Sequence, residues 1–325
     1  MTEPLRVLWE APEDDTALAA PRRSLGWPQS LVDFYGGALS IPLHRDRPTI
    51  VANFVSTLDG VVSFAEPGAS GGSAISGSFG PDRRLMGLLR SMADAVLMGA
   101  GTVRKARREE WTARDIDPAL AREHADARRR LSLAAQPTTV VVTASGKVDL
   151  GQPGLSRPDV PVLILTTPRG RSVLPADAAS ERLQIVSTSG GNPVAATGER
   201  VPTAGADMHT AGESMPTAGE DVPTAGIVSE LAALGASLVL CEGGPHLLGR
   251  LLADGAIDEL FLTLAPQVAG RADDRRRLAL IEDRAFSTRE APWGSLLSVR
   301  QAGSHLFLRY RFDATPSTPV AGRAA

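Results

Sequence analysis

The sequence predicts an α/β domain built on a mixed, mostly parallel sheet that is flanked by helices. Short, nearly continuous apolar stretches alternate with amphipathic helical stretches along most of the 325 residues. Strands without polar alternation are typical of parallel sheets, which helices cover on both faces. Near the carboxyl end, two stretches alternate apolar and polar residues instead, which indicates an antiparallel pair that closes the domain.

The predicted strands are short, rich in Val, Ile and Leu, and bounded by turn residues. In chain order, the buried strands are residues 49–55, 95–99, 138–144, 160–167, 182–188, 237–242 and 257–268. The alternating strands are residues 295–302 and 305–312, and the Gly303-Ser304 turn joins them. These strands account for the expected sheet.

The helices are predicted from their apolar period and from the residues that begin them. Pro81-Asp82 opens a helix that runs into the strand at 95–99. Its apolar residues recur at i, i+3, i+4 and i+7, namely Leu85, Leu88, Leu89 and Met92. Asp117-Pro118 predicts the N-cap and first-turn proline of a helix that ends near Leu133. Two more helices are expected at 227–235 and 246–255.

The expected domain spans residues 47–312. Residues 1–46 mix Pro, Gly and acids with few apolar anchors, so we expect an amino-terminal extension that packs on the domain. A seven-residue repeat built on Thr-Ala-Gly occupies 201–226. Because its units carry Gly and lack two long apolar residues, we expect a flexible insertion at about 190–226 and not a coiled coil. Residues 313–325 are expected to form a disordered tail.

Charge and cysteine content exclude several classes of function. Lys and Arg number 34 against 37 Asp and Glu, so the sequence offers no positive field for a nucleic acid or an anionic membrane. Cys241 is the only cysteine and the five histidines are scattered, so we expect no disulfide and no metal site. The chain starts without a basic and apolar leader, and its apolar runs fall short of the ~18 residues that span a bilayer. We therefore expect a cytoplasmic protein.

Two turns of small residues follow predicted strands and are candidate anion sites. In Gly99-Ala100-Gly101-Thr102, small side chains let backbone amides approach a phosphate. In Gly243-Gly244-Pro245-His246, the proline is preset for the first position of the next helix. Glu242 ends an apolar strand and would be costly there without a partner, so we expect it to face a cleft and contact a ligand. The alternative is a surface carboxylate that caps the next helix.

Four motifs, in their order along the chain, resemble one protein family. They are STLDG (56–60), LLRSMADAVLMGAGTV (88–103), LVLCEGGPHLLGRLL (238–252) and IDELFLTLAPQVAG (257–270). Together they resemble the RibD carboxyl-terminal domain, the pyrimidine reductase of riboflavin biosynthesis, over about residues 47–312 apart from the repeat. The resemblance implies a dihydrofolate-reductase-like fold, a homodimer, and the cofactor NADPH. It also implies an activity like that of 5-amino-6-(5-phosphoribosylamino)uracil reductase, with hydride transfer to C1′ of the ribose.

The same resemblance implies roles for individual residues. The implied cofactor-binding residues are Val55, Ser56, Gly99, Gly101, Thr102, Thr143, Gly243, Gly244, His246, Leu247 and Leu248. The implied substrate-binding residues are Asn53, Ser73, Arg90 and Glu242. Arg104 or Lys147 would supply the positive charge that a 2′-phosphate needs.

Two carboxylates are candidate catalytic residues. Glu242 would fix the polar groups of the substrate, and Asp59 is the candidate proton donor or relay. The alternative for Asp59 is an aspartate that holds the turn Leu58-Asp59-Gly60 through its own backbone.

The chain departs from the bifunctional members of the family on the substrate side. Asn53 stands where they have a lysine, and Ala106-Arg107-Arg108 stands where they have Asp-Asp-Pro. Residues 1–46 are too short for the zinc deaminase domain that precedes the reductase in those members. Two alternatives therefore stay open: a reductase of a pterin or folate such as dihydrofolate, and a catalytically silent NADP-binding protein whose repeat recruits a partner. In the enzyme interpretations the partner is a small molecule, a phosphorylated ribosylaminopyrimidine or a pterin.

Overall fold

A ten-stranded mixed sheet lies at the centre of the fold. The computed structural model describes residues 2–12, 20–66, 71–106, 111–188 and 221–312. The strands of the large sheet are β1 (Arg6–Glu10), β4 (Thr49–Ser56), β6 (Ala95–Gly99), β7 (Thr138–Thr143), β8 (Val162–Thr166), β9 (Leu183–Ser187), β10 (Leu238–Cys241), β11 (Glu259–Leu264), β13 (Gly294–Ala302) and β14 (His305–Phe312). Two short sheets join β2 (Arg22–Leu25) to β3 (Leu39–Pro42) and β5 (Val61–Ser63) to β12 (Leu278–Ala279).

The strand order is β1-β13-β14-β11-β4-β10-β6-β7-β8-β9. Every pairing from β11 to β9 is parallel, and the pairings among β11, β14, β13 and β1 are antiparallel. The predicted mixed, mostly parallel sheet is therefore confirmed, and each predicted strand is present with its ends shifted by a few residues at most. Because β10 lies between β4 and β6 and is parallel to both, the carboxyl ends of these three strands lie side by side, although β10 is far from the other two in sequence.

The sequence did not predict β1, the strand that extends the sheet at its antiparallel end. It pairs with β13 with a bulge between Val7 and Trp9. All five of its residues are exposed, so no burial pattern of period two marks it as a strand. The segment that follows is anchored to the sheet as well, because Arg300 is buried and donates from Nε to the Tyr35 carbonyl at 2.8 Å.

Helices cover both faces of the sheet. They are α1 (Gln29–Tyr35), α2 (Gly72–Ser76), α3 (Gly80–Met92), α4 (Ala100–Lys105), α5 (Ala113–Ile116), α6 (Ala121–Arg130), α7 (Pro153–Ser156), α8 (Pro168–Val173), α9 (Thr224–Ala233) and α10 (Pro245–Ala253). On one face α9 and α10 bury Ile227 and Leu247, and on the other α1 and α3 bury Leu31 and Leu88. Within the described ranges, no helix combines the length and apolar character needed to cross a membrane.

The helix predicted from Asp117 begins later than expected. Pro118–Leu120 form a short 3₁₀ turn, and α6 starts at Ala121. The Asp117 side chain does not cap this turn, because its carboxylate accepts a hydrogen bond from Arg84 Nε at 2.9 Å and lies 3.2 Å from His124 Nε2. Asp117 and Pro118 therefore hold the predicted N-cap and first helical positions, but Arg84 and His124 bind the carboxylate in place of the first backbone amides.

The last repeat unit packs into the core of the folded domain. Val222 is fully buried, and α9 begins at Thr224 inside the unit Val222–Gly226. This unit is therefore partly helical, and the helix predicted at 227–235 begins three residues earlier. Residues 201–220 and the tail at 313–325 lie outside the described residues, so the expectations about them stay predictions, as do the domain boundaries.

We predict that the first three repeat units are dispensable for stability and that the fourth is not. A Gly/Ser linker in place of 191–220 should leave the melting temperature within ~2 °C, since a shorter loop changes closure entropy little. A linker in place of 191–226 should lower it by ~5 °C or more, because it removes Val222 from the core. Thermal unfolding of both variants beside the parent tests this, and equal melting temperatures would contradict it.

Candidate functional site

The candidate site lies at the carboxyl ends of the parallel strands. Open α/β sheets bind ligands in the crevice outside these ends. The turn after β10 and the turn after β6 meet there, since the Glu242 amide donates to the Leu97 carbonyl at 3.0 Å. The structure therefore brings the two candidate anion turns together.

Two glycines allow these turns to touch. A Cβ at Gly243 would lie 2.7 Å from Leu247 Cδ2 and 3.2 Å from the Gly99 nitrogen. A Cβ at Gly244 would lie 3.2 Å from Thr102 Oγ1. Gly99 and Gly101 have more room, with their nearest neighbours at 3.9 Å and 4.0 Å, so packing alone does not require glycine at those positions.

The first turn of α10 presents part of the predicted anion site. Its N-cap, Gly244, has no side-chain cap, so no side chain competes for the amides of this turn. Leu247 and Leu248 are buried, and both donate their amides to the Gly244 carbonyl at 3.0 Å and 3.1 Å. Their implied contact with a cofactor through these amides is therefore not supported, because the helix already uses them. His246, between them and the turn, is half-exposed.

Arg90 and Glu242, both expected to bind substrate, are bound to each other. Arg90 Nη2 lies 2.7 Å from Glu242 Oε2, and Arg90 Nε donates to both carboxylate oxygens at 3.1 Å and 3.2 Å. Their side chains are 3% and 8% exposed. The remaining terminal nitrogen of Arg90, Nη1, donates to the Thr112 carbonyl at 3.2 Å. Arg90 therefore fixes the orientation of Glu242, and its expected contact with a substrate stays a prediction.

The structure also corrects the surface alternative for Glu242. A carboxylate that caps a helix would be exposed and would accept from the first amides of α10. Glu242 is instead nearly enclosed and paired with Arg90, and α10 has no side-chain cap. The expectation that Glu242 needs a partner at the end of an apolar strand was right, and the partner is a protein side chain.

Asp59 is held by three hydrogen bonds. It accepts from Thr57 Oγ1 at 2.6 Å, from the Ala269 amide at 3.0 Å and from the Gly270 amide at 2.7 Å. The bond from Thr57 first, and then the amide donors, lower the pKa of Asp59 to about 2. A carboxylate with this pKa carries no proton at neutral pH, so we do not assign it as the proton donor. Asp59 ties the turn after β4 to the loop after β11.

Asp82 is a buried acid that the sequence interpretation missed. It lies in the first turn of α3, and burial raises its pKa, with the charge of Glu242 acting in the same direction. The hydroxyls of Thr263 and Ser76 and the charge of His305 lower the pKa only in part, and neither hydroxyl makes a hydrogen bond of ordinary geometry. The available signal was its position three residues before Leu85, on the apolar face of the helix.

Other residues with implied roles in substrate or cofactor binding lie on β4 and on the helix that packs against its carboxyl end. Val55 and Ser56 are buried at the end of β4. A Cβ at Gly72 would lie 3.0 Å from Val55 Cγ1, which places the exposed Ser73 in a helix that packs on this strand end. Asn53 is half-buried within β4, opposite Phe261 of β11.

The turn after β7 brings basic groups to the neighbouring part of the edge. Thr143 is buried, and its hydroxyl accepts from the Gly146 amide at 3.1 Å, so it shapes the turn. Arg104 Nη1 donates to the Lys147 carbonyl at 3.2 Å, which joins the end of α4 to this turn. Both candidate cations for a 2′-phosphate are therefore in one place. Over the described part of the chain, no cluster of three or more His, Cys, Asp or Glu side chains could hold a metal ion.

Solved structures of low sequence identity share this fold. RibD from Acinetobacter baumannii aligns with a TM-score of 0.55 and 18% identity, over 82% of this chain and 58% of that chain. A pyrimidine reductase-like protein from Corynebacterium diphtheriae aligns with a TM-score of 0.53 and 19% identity, over 82% of this chain and 92% of that chain.

A third structure has two activities in its name. It is a diaminohydroxyphosphoribosylaminopyrimidine deaminase/5-amino-6-(5-phosphoribosylamino)uracil reductase from Thermotoga maritima, with a TM-score of 0.56 and 16% identity over 83% of this chain and 58% of that chain. The chain thus spans less than two thirds of the Acinetobacter and Thermotoga proteins. No curated protein matches it significantly. A family model described as the RibD C-terminal domain matches residues 48–304, which is most of the chain, and the protein belongs to this family.

Proposed function

We propose that this protein is an NADPH-dependent reductase of 5-amino-6-(5-phosphoribosylamino)uracil. The observation that carries the proposal is the meeting of two glycine turns beside the enclosed Arg90–Glu242 pair at one edge of the sheet. Membership of the RibD C-terminal domain family supports it, and the Thermotoga protein of the same fold has this reductase activity in its name. When bound, NADPH supplies a hydride from nicotinamide C4 to C1′ of the opened ribose imine.

The residues at this edge fit a dinucleotide with an anionic centre. A Cβ at Gly243 or Gly244 would crowd the other turn, so glycine lets the two turns pack together and leaves their backbone unshielded for a phosphate. Arg104 and Lys147 place two cations at the adjacent turn, where they would bind a 2′-phosphate. Val55 and Ser56, at the end of β4, would border the nicotinamide.

We assign Glu242 the task of orienting the substrate. Its carboxylate is nearly enclosed and is fixed by the guanidinium of Arg90, so its direction is set before a substrate arrives. A buried pair of this kind costs desolvation energy, which hydrophobic packing would avoid. Its retention at the strand end is consistent with a binding role for the carboxylate.

We assign Asp82 the task of holding the proton that the reaction consumes. Reduction of an imine adds a hydride to carbon and a proton to nitrogen, so the site needs an acid that is protonated near neutral pH. Burial favours the protonated form of Asp82, and the neighbouring charge of Glu242 does the same. Asp59 has the opposite environment, with its pKa lowered to about 2.

The direct test of this function is NADPH oxidation with a panel of substrates. We predict turnover with the ribosylaminouracil phosphate and much slower oxidation with dihydrofolate, measured by the loss of absorbance of the cofactor. NADH should replace NADPH poorly, since one charge-assisted contact to the 2′-phosphate is worth ~1.5–3 kcal/mol, or about 10- to 150-fold. Faster turnover of dihydrofolate would favour the pterin alternative, and cofactor binding without turnover of either would favour a silent binding protein.

Substitutions at adjacent positions should separate cofactor binding from turnover. Gly244→Val should abolish NADPH binding, because its Cβ alone would lie 3.2 Å from Thr102 Oγ1. Glu242→Gln should keep NADPH binding and lower the turnover number, because the carboxylate is assigned to the substrate. Calorimetry and steady-state rates measure both effects. If Glu242→Gln lost cofactor affinity and kept normal turnover, the two roles would be reversed.

The proton assignment predicts a pH dependence. The rate should fall as the pH rises through the raised pKa of Asp82, because the acid then loses its proton. Asp82→Asn should lower the rate by at least ~100-fold and remove this part of the pH profile. Asp59→Asn is the matched control and should keep the profile, since Asp59 is already ionised. A full rate in Asp82→Asn would contradict the assignment.

A further inference from the structure

The loop before β13 contributes an acid to the first turn of α10. His246, at the second position of this helix, has its Nδ1 2.5 Å from Asp283 Oδ2. The two side chains are 46% and 47% exposed. Asp283 is 37 residues further along the chain and is not part of any motif that the sequence interpretation used.

The loop that carries Asp283 is fixed on α10. A Cβ at Gly249 would lie 2.9 Å from the Glu282 carbonyl oxygen and 3.1 Å from Ile281 Cγ2, so glycine lets the loop lie directly on the helix. The Glu282 amide points to the Pro245 carbonyl at 3.4 Å, and Glu282 Oε1 accepts from the Ala279 amide at 2.7 Å. The first contact holds the loop close to the start of the helix, and the second fixes the turn within the loop.

The contact occupies one of the two ring nitrogens of His246. With Nδ1 bound to Asp283, Nε2 is the ring nitrogen left for another partner. Because the carboxylate accepts, Nδ1 carries the hydrogen of this contact, and Nε2 carries an N–H only in the imidazolium form of the ring. In that form Nε2 would donate to an anion at the first turn of α10. Arg284 follows and donates from Nη1 to the Asp283 carbonyl at 2.8 Å. The guanidinium of Arg284 therefore lies beside the residue whose carboxylate binds His246.

We propose that Asp283 is a positioning residue that holds the His246 imidazole for the diphosphate of the cofactor. The inference rests on the proposed function, because it needs NADPH at the turns described above. It adds a residue outside the family motifs to the cofactor site. Asp283 acts through His246 and does not itself touch the anion.

The test is NADPH binding by calorimetry, without turnover, over the wild-type protein and four variants. Asp283→Asn and His246→Gln should each weaken NADPH about 3- to 10-fold, the effect of one charge-assisted hydrogen bond at a half-exposed position. The double variant should bind no more weakly than His246→Gln, because Asp283 acts only through that ring. Asp283→Glu should regain part of the affinity.

His44→Gln is the matched control. His44 Nε2 lies 2.8 Å from Asp258 Oδ1, and its side chain is 42% exposed, but the pair lies near the amino ends of the strands, on the opposite edge of the sheet. This variant should bind NADPH as the wild type does. Unchanged or tighter binding in Asp283→Asn would overturn the inference, as would losses that multiply in the double variant. If the wild-type protein failed to bind NADPH, the proposed function would fall together with this inference.

Discussion

The ion pair between Arg90 and Glu242 connects the parts of the molecule on which the site depends. Arg90 comes from the last turn of α3, and Glu242 follows β10, the strand between β4 and β6. Two enclosed charges at 2.7 Å are tolerated only because each satisfies the other, and removal of one partner would leave the second buried without a counter-charge. The pair therefore fixes the position of α3, and with it the position of Asp82, relative to the glycine turns.

Three carboxylates around this edge have different environments, and the differences separate their roles. Asp59 is exposed and receives several hydrogen bonds, Glu242 is enclosed and paired with Arg90, and Asp82 is enclosed, with burial as the largest influence on its pKa. Hydrogen bonding favours the ionised form of the first, and desolvation favours the protonated form of the last. The environments at this edge thus shift the pKa values of Asp59 and Asp82 in opposite directions. The three environments differ because Asp59 lies in the turn after β4, Glu242 follows β10, and Asp82 lies in the first turn of α3.

The sheet was predictable from local sequence because its strands are continuous apolar stretches with clear ends, as in the strand over 138–143. The partners of the charged side chains were not predictable in the same way. The pairing of Arg90 with Glu242 spans 152 residues, and the missing side-chain cap at Asp117 depends on Arg84 from another helix and on His124, seven residues further along the chain. Likewise, the role of Val222 depends on the core that it enters, which its Gly- and Pro-rich repeat does not reveal.

We propose above all that the cofactor binds at the carboxyl edge of the sheet, between the turns after β6 and β10. Amide hydrogen exchange with and without NADPH tests it most directly, because it reports the position of binding independently of turnover. With NADPH bound, we expect amide exchange to be slower by at least about tenfold in residues 99–103 and 243–248. Exchange in residues 44–49, at the opposite edge, should be unchanged. Slower exchange at 44–49 alone, or no change at either turn in the presence of bound NADPH, would contradict it.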